Sequence, residues 1–229
     1  RQRLRLILHF GTELMLTKRR GSNMSFDKQD KAIIWTISGA DCSGGAGIAA
    51  DIKTGHALGV EVCHLITANT VQNSQQLISV NPVDVAILQQ QVDVLINDKP
   101  PAVIKIGLLA NIEQIKWLSH FLQQLKNKQS DVIVVFDPVG QASAGGSFSN
   151  IGSNDLSKLL TLVDVITPNF NEAKELTNIA SFEQAQLAKE IQSKGCKTVI
   201  IKGGHSKNDT DDKNCIDYCL HQCVEQNSN

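Results

Sequence analysis

Val132-Ile133-Val134-Val135-Phe136 is an unbroken apolar run that stops at Asp137-Pro138. A strand with one face in water alternates apolar and polar residues, so a run with no polar face belongs to a strand covered on both sides. Further strand segments are read at Ala32 to Ile37, Glu61 to Thr67, Ala102 to Leu109, Val163 to Ile166 and Thr198 to Ile201. Helical spacing fills the intervals. It is read in Ala46 to Leu58, in Val85, Leu88, Val92, Leu95 and Ile96, and in Ile112, Ile115, Leu118, Phe121, Leu122 and Leu125. Asn171 to Leu176 and Phe182 to Lys194 complete the set. Strands that alternate with helices imply right-handed crossovers, and hence an α/β fold with a mainly parallel central sheet and helices on both faces.

The chain has 229 residues, enough for one substantial domain, and its 41% apolar content is ordinary for a soluble protein. A formal charge of -1 gives no general attraction to nucleic acid or to an acidic membrane surface. No apolar run is long enough to cross a bilayer. The six cysteines are too few and too scattered for a disulfide scaffold, so a reducing cytoplasm is expected. Cys215, Cys219 and Cys223 fall four residues apart with His221 among them, a spacing that would align the thiols on a helix. It matches no standard zinc pattern, and reduced thiols are the simpler reading.

Residues 1–23 are read as a leader, disordered or non-native, because Arg1, Arg3, Arg5, Lys18, Arg19 and Arg20 surround a short apolar patch unlike anything downstream. Met24 is taken as a natural start. Residues 24–229 are read as one domain.

Polar residues gather where the predicted strands end: the loop Ser38 to Ile48, Asn69 to Asn73, Lys105 to Leu109, Asp137, Asn169 and Lys202. In open α/β sheets ligands bind at that carboxyl edge. The glycine-dense loop Ser38-Gly39-Ala40-Asp41-Cys42-Ser43-Gly44-Gly45-Ala46-Gly47-Ile48 joins a strand to a helix, where bare backbone and the unpaired N–H groups of a helix start suit an electron-rich ligand. It has neither the Gly-x-Gly-x-x-Gly spacing of a dinucleotide site nor the Gly-Lys-Ser/Thr ending of a Walker loop.

Together with this loop, Thr67-Ala68-Asn69-Thr70-Val71-Gln72-Asn73-Ser74, Lys105-Ile106-Gly107-Leu108-Leu109, Asp137-Pro138-Val139, Thr167-Pro168-Asn169-Phe170-Asn171-Glu172-Ala173 and Lys202-Gly203-Gly204-His205 resemble, in order and spacing, the hydroxymethylpyrimidine/phosphomethylpyrimidine kinases of thiamine biosynthesis. These belong to the ribokinase-like superfamily. The resemblance implies phosphoryl transfer from ATP, with Mg2+, to 4-amino-5-hydroxymethyl-2-methylpyrimidine and then to its monophosphate. It implies that Gly39, Asp51, Gln72 and Leu108 face the pyrimidine. An amide such as Gln72 presents the donor and acceptor that complement an aminopyrimidine edge. Asp137, Asn169, Glu172, Lys202 and Gly204 fall on the nucleotide side, with Asp137 and Glu172 as carboxylates able to hold Mg2+ directly or through water.

The family's Gly-Thr-Gly-Cys segment, which opens a helix and carries the proposed general base, should follow Lys-Gly-Gly-His by several tens of residues. Only 24 residues follow His205, and none is glycine. The catalytic base is therefore unassigned, and the expectation is a C-terminally truncated kinase domain of low activity, or a non-catalytic pyrimidine-binding relative. Ala49 and Gly140 also replace residues common in the family. Pyridoxal kinases share the architecture and stand as the alternative enzyme, with a sugar kinase of the same superfamily behind them. A homodimer is expected from relatives of this shape.

Overall fold

The computed structural model describes residues 31–73, 75–139, 151–181, 183–203 and 217–222. The leader, Gly204, His205, Cys215 and Cys223 lie outside the described residues. β1 (Ile33–Asp41) leads through α1 (Gly47–Ala57) to β2 (Glu61–Gln72), β3 (Leu77–Pro82) and α2 (Val85–Asp98). β4 (Val103–Ile106), α3 (Ile112–Lys128), β5 (Ile133–Phe136), α4 (Ser157–Leu160) and β6 (Val165–Ile166) follow. α5 (Phe170–Thr177), α6 (Gln184–Ser193), β7 (Thr198–Ile201) and β8 (Tyr218–His221) complete the order. The sheet runs β3-β2-β1-β4-β5-β6-β7-β8. Its six inner strands are parallel, and each edge strand is antiparallel to its neighbour.

Strand periodicity divides the apolar runs between two cores. Val134 and Phe136 join Trp35, Ile37, Ile104 and Ile106 on one face, beneath the buried residues of α2 to α6. Ile133 and Val135 join Ile34, Val60 and Val103 on the other, beside α1. The unbroken run 132–136 thus serves both faces, as a strand buried on both sides requires. Trp35 is fully buried, stacks on Phe121 with ring centroids 6.2 Å apart, and donates its indole N–H to the Lys99 carbonyl at 2.8 Å. Asp84 and Asn111 cap α2 and α3 by accepting from the N–H groups of Ala86 and Gln114 at 2.7 and 2.9 Å.

Asp164 knots the far half of the sheet together. Its carboxylate accepts from Lys126 at 2.6 Å, Lys197 at 2.8 Å and the Val134 N–H at 2.9 Å. Burial pushes its pKa up, but these donors together hold it below the usual carboxylate value.

Two strands were not expected from the sequence. β3 turns back on β2 and carries that strand to Gln72, beyond the Thr67 end predicted for it. β8 contains Cys219, so a strand and not a helix carries that thiol. Leu220 and Tyr218 of β8 pack on the larger core, whereas Cys219 and His221 are exposed. Such edge strands are recruited by the free backbone of a neighbour, and four residues of mixed polarity give little local pattern to read.

Candidate active site

The carboxyl ends of the parallel strands form one rim, and the glycine loop is built into it by Asp41. The Asp41 carboxylate accepts from the N–H and hydroxyl of Ser43, both at 2.8 Å, and from the N–H groups of Gly45 and Ala46 at 3.0 and 2.9 Å. Although burial raises its pKa, these donors lower it overall. The N–H groups of Ser43, Gly45 and Ala46, in the loop ahead of α1, are therefore taken by Asp41, whereas no side chain caps the first turn of α1 itself. Sequence reasoning missed this role, although an aspartate just ahead of Ser-Gly-Gly at a helix start carries the signal. Gly47 closes the loop at φ +56, and a Cβ there would lie 2.1 Å from the Gly39 carbonyl oxygen.

β2 fastens the loop from the side. Thr70 donates its hydroxyl to the Ala40 carbonyl at 2.8 Å, and the Cys42 thiol donates to the Gln72 carbonyl at 3.0 Å. Leu108 closes the group: a Cβ on Gly39 would fall 2.7 Å from Leu108 Cδ2. The structure thus places Leu108 against Gly39 and ties the Gln72 carbonyl to Cys42 of the same loop.

Asp51 lies below that group, 6% exposed on the inner face of α1. It accepts a short hydrogen bond from Thr36, and Lys105 Nζ reaches its two oxygens at 2.9 and 3.1 Å. The carboxylate expected to face the pyrimidine is engaged with the sheet. Lys105 was not assigned a role from sequence, yet a lysine inside Val103-Ile104-Lys105-Ile106 must find a partner when the strand is buried.

Across the rim, β5, β6 and β7 end at Asp137, Thr167 and Lys202. Lys202 Nζ donates to Asp137 Oδ1 at 2.7 Å and lies 3.9 Å from Glu172 Oε2. The Thr167 hydroxyl reaches the same Asp137 oxygen at 3.0 Å. Asn169 caps α5 through the N–H groups of Asn171 and Glu172, each at 2.9 Å, while Glu172 accepts from the Asn169 N–H at 2.6 Å. This reciprocal capping box orients Glu172 without using its whole carboxylate. A cavity of about 310 Å3 opens beside Glu172, lined also by Gly107, Phe136, Pro138, Val139 and Leu176. Burial in these surroundings pushes the Glu172 carboxyl up to about 7, against the opposing Asn169 N–H and Lys202 charge.

The donor set fits Mg2+: two carboxylates, all oxygen, leaving the remaining positions to phosphate and water, as that ion prefers. Among the described residues no cluster of three or more His, Cys, Asp or Glu side chains forms a self-sufficient metal site. An ion held here would need the nucleotide's own oxygens.

A mainly parallel sheet with this rim defines the class as a small-molecule kinase of the ribokinase-like fold. The crystal structure of a phosphomethylpyrimidine kinase from Clostridium difficile superposes with a TM-score of 0.71 at 32% identity, covering 85% of this chain and 82% of that one. Pyridoxal kinase from Staphylococcus aureus, solved with pyridoxal, gives 0.69 at 26% identity over 83% and 69% of the two chains. A hydroxymethylpyrimidine/phosphomethylpyrimidine kinase of Haemophilus influenzae is 41% identical over 192 residues, 82% of this chain and 70% of the relative. The family model for phosphomethylpyrimidine kinase matches residues 41–228, and the chain belongs to that family. It spans 65 to 70% of the length of the curated relatives it matches.

Proposed function

We propose that this chain binds 4-amino-5-hydroxymethyl-2-methylpyrimidine and its monophosphate at Gly39, Gln72 and Leu108, and carries phosphoryl transfer to them from ATP held near Asp137, Asn169, Glu172 and Lys202. The observation that carries the reading is the shared rim. One end offers the glycine loop packed on Leu108 and tied through Cys42 to the Gln72 carbonyl, and the other offers two carboxylates bracketing a lysine. Gln72 supplies donor and acceptor to the aminopyrimidine edge, and Leu108 covers the ring. Asp51, tied to Lys105 and Thr36, holds α1 and hence the glycine loop at the height of the ring. Lys202 places positive charge where the transferred phosphoryl group would sit. Asp137 and Glu172 are the residues that would hold Mg2+, which when bound offsets charge on the phosphate oxygens. Gly204, outside the described residues, belongs to the same nucleotide side by its place beside Lys202.

A cytoplasmic location and a homodimer are part of the same reading. Cys42, Cys63, Cys196 and Cys219 are all free thiols, and no described helix is long and apolar enough to cross a membrane. Val71 and Ile78 leave apolar surface on the β2–β3 hairpin, 46% and 66% exposed.

Calorimetric titration with the pyrimidine, pyridoxal and ribose, each with and without MgATP, tests the substrate assignment. The pyrimidine should bind tightest, and Gln72→Ala should remove most of that preference. Tighter binding of pyridoxal would transfer the site to the pyridoxal kinase reading, which the 26% identical neighbour supports less well than the 41% identical pyrimidine kinase supports the first. Mass spectrometry of the MgATP mixtures would detect the phosphorylated pyrimidine.

A further inference from the structure

Gln114 is fully buried in the first turn of α3, and its amide is consumed by three partners from other parts of the chain. Its oxygen accepts from the Ala110 N–H at 2.9 Å, and its nitrogen donates to the carbonyls of Thr67 and Val83 at 2.8 and 2.9 Å. Asn111 and Gln114 have the spacing of a capping box, in which the glutamine would reach back to the cap's own N–H. Here it reaches past the cap into the sheet.

Thr67 and Val83 mark the base of the β2–β3 hairpin. The Val83 N–H donates to the Thr67 carbonyl at 2.8 Å, and the first strand pair beyond them is Ala68 with Pro82. The Thr67 hydroxyl donates to the Leu108 carbonyl at 2.5 Å. One buried amide and one hydroxyl therefore lock the hairpin base to the segment that carries Leu108. Gln72 stands five residues along that hairpin, so a small rotation at its base displaces the Gln72 amide relative to the Leu108 wall.

We infer that Gln114 and Thr67 are positioning residues for pyrimidine recognition, acting through Gln72 and Leu108. The inference rests on the proposed role of Gln72. Gln114→Met keeps the side-chain length while deleting all three hydrogen bonds. It should weaken pyrimidine binding about tenfold and change ADP binding by less than about twofold. In a Gln72→Ala background the same substitution should cost less than about twofold more, because the group it positions is gone.

Titrations of pyrimidine and ADP into the wild-type chain, both single variants and the double variant, at a temperature where circular dichroism shows all to be folded, decide the matter. Full multiplication of the two losses, or equal loss of ADP binding, overturns the inference and leaves the role of Gln72 standing. A wild-type chain that binds ADP but no pyrimidine overturns both. Should Gln114→Met fail to fold, Thr67→Val replaces it in the same cycle, since it removes only the hydroxyl donor to Leu108 and must show the same non-additive loss.

Discussion

Lys105 and Asp51 form an ion pair closed off from water, 2.9 Å apart with side chains 9% and 7% exposed, between β4 and α1. Coulomb attraction in such a site offsets a large desolvation cost only while both partners are present. Lys105→Met strands the carboxylate beside Thr36 and should cost about 3–5 kcal/mol in urea unfolding. Adding Asp51→Leu should recover much of it. A double variant no more stable than Lys105→Met would show that the pair does not act as a unit.

Lys202 should serve the nucleotide and not the pyrimidine. Lys202→Met removes the cation between Asp137 and Glu172, so ATP affinity should fall at least tenfold, as expected for loss of a charge-assisted phosphate contact of about 1.5–3 kcal/mol. Pyrimidine affinity without nucleotide should hold within about twofold. Parallel titrations of the two ligands separate these effects.

Glu172 gives the folded chain a pH dependence of unusual sign for a carboxylate. Its carboxyl titrates near 7 when folded against 4.5 as an isolated group, so between those values the folded state holds the proton more tightly than the unfolded state. Its contribution to stability is complete below about pH 4.5 and is lost as pH rises through 7, a decline of about 3 kcal/mol at most. Glu172→Gln, neutral throughout, should flatten the wild-type curve of unfolding free energy over this window. Parallel curves for the two proteins would exclude the effect.

Gly47→Ala combines a left-handed backbone with a Cβ 2.1 Å from the Gly39 carbonyl oxygen, a backbone atom with no side chain to rotate aside. The loop must open to admit it. We expect a cost of about 2 kcal/mol or more in stability and a larger loss of pyrimidine than of ADP binding. Gly59→Ala is the matched control: its φ is +73, but nothing lies within 4 Å of the added Cβ. It should cost stability and spare pyrimidine binding.

The order of parallel strands and helices was legible because it rests on periodicity, and Thr198–Ile201 emerged with the bounds read from its sequence. Val165–Ile166 was over-read at Val163, and Val103–Ile106 at both ends, because apolar residues continue past the last paired backbone group. β3 and β8 went unread, since pairing partners and not their own composition make them strands. At the site, Lys105, Asp137, Asn169 and Lys202 were legible as polar residues at the ends of apolar segments, and Glu172 entered only through the family resemblance. The partners of Lys105 and Gln114 were not, because each acts by what it touches elsewhere in the fold, whereas Asp41 acts within its own loop.

Local spacing therefore determined that this chain would build an α/β sheet whose carboxyl edge collects glycine, amide, carboxylate and lysine. Only the tertiary structure decided that Asp51 pairs with Lys105, that Asp41 takes the loop N–H groups, and that Gln114 binds the base of the β2–β3 hairpin. The reason is physical. Periodicity reports which side of an element is buried, whereas a buried polar group takes its partner from whatever packing brings within reach, and Lys105 finds Asp51 across 54 residues of sequence.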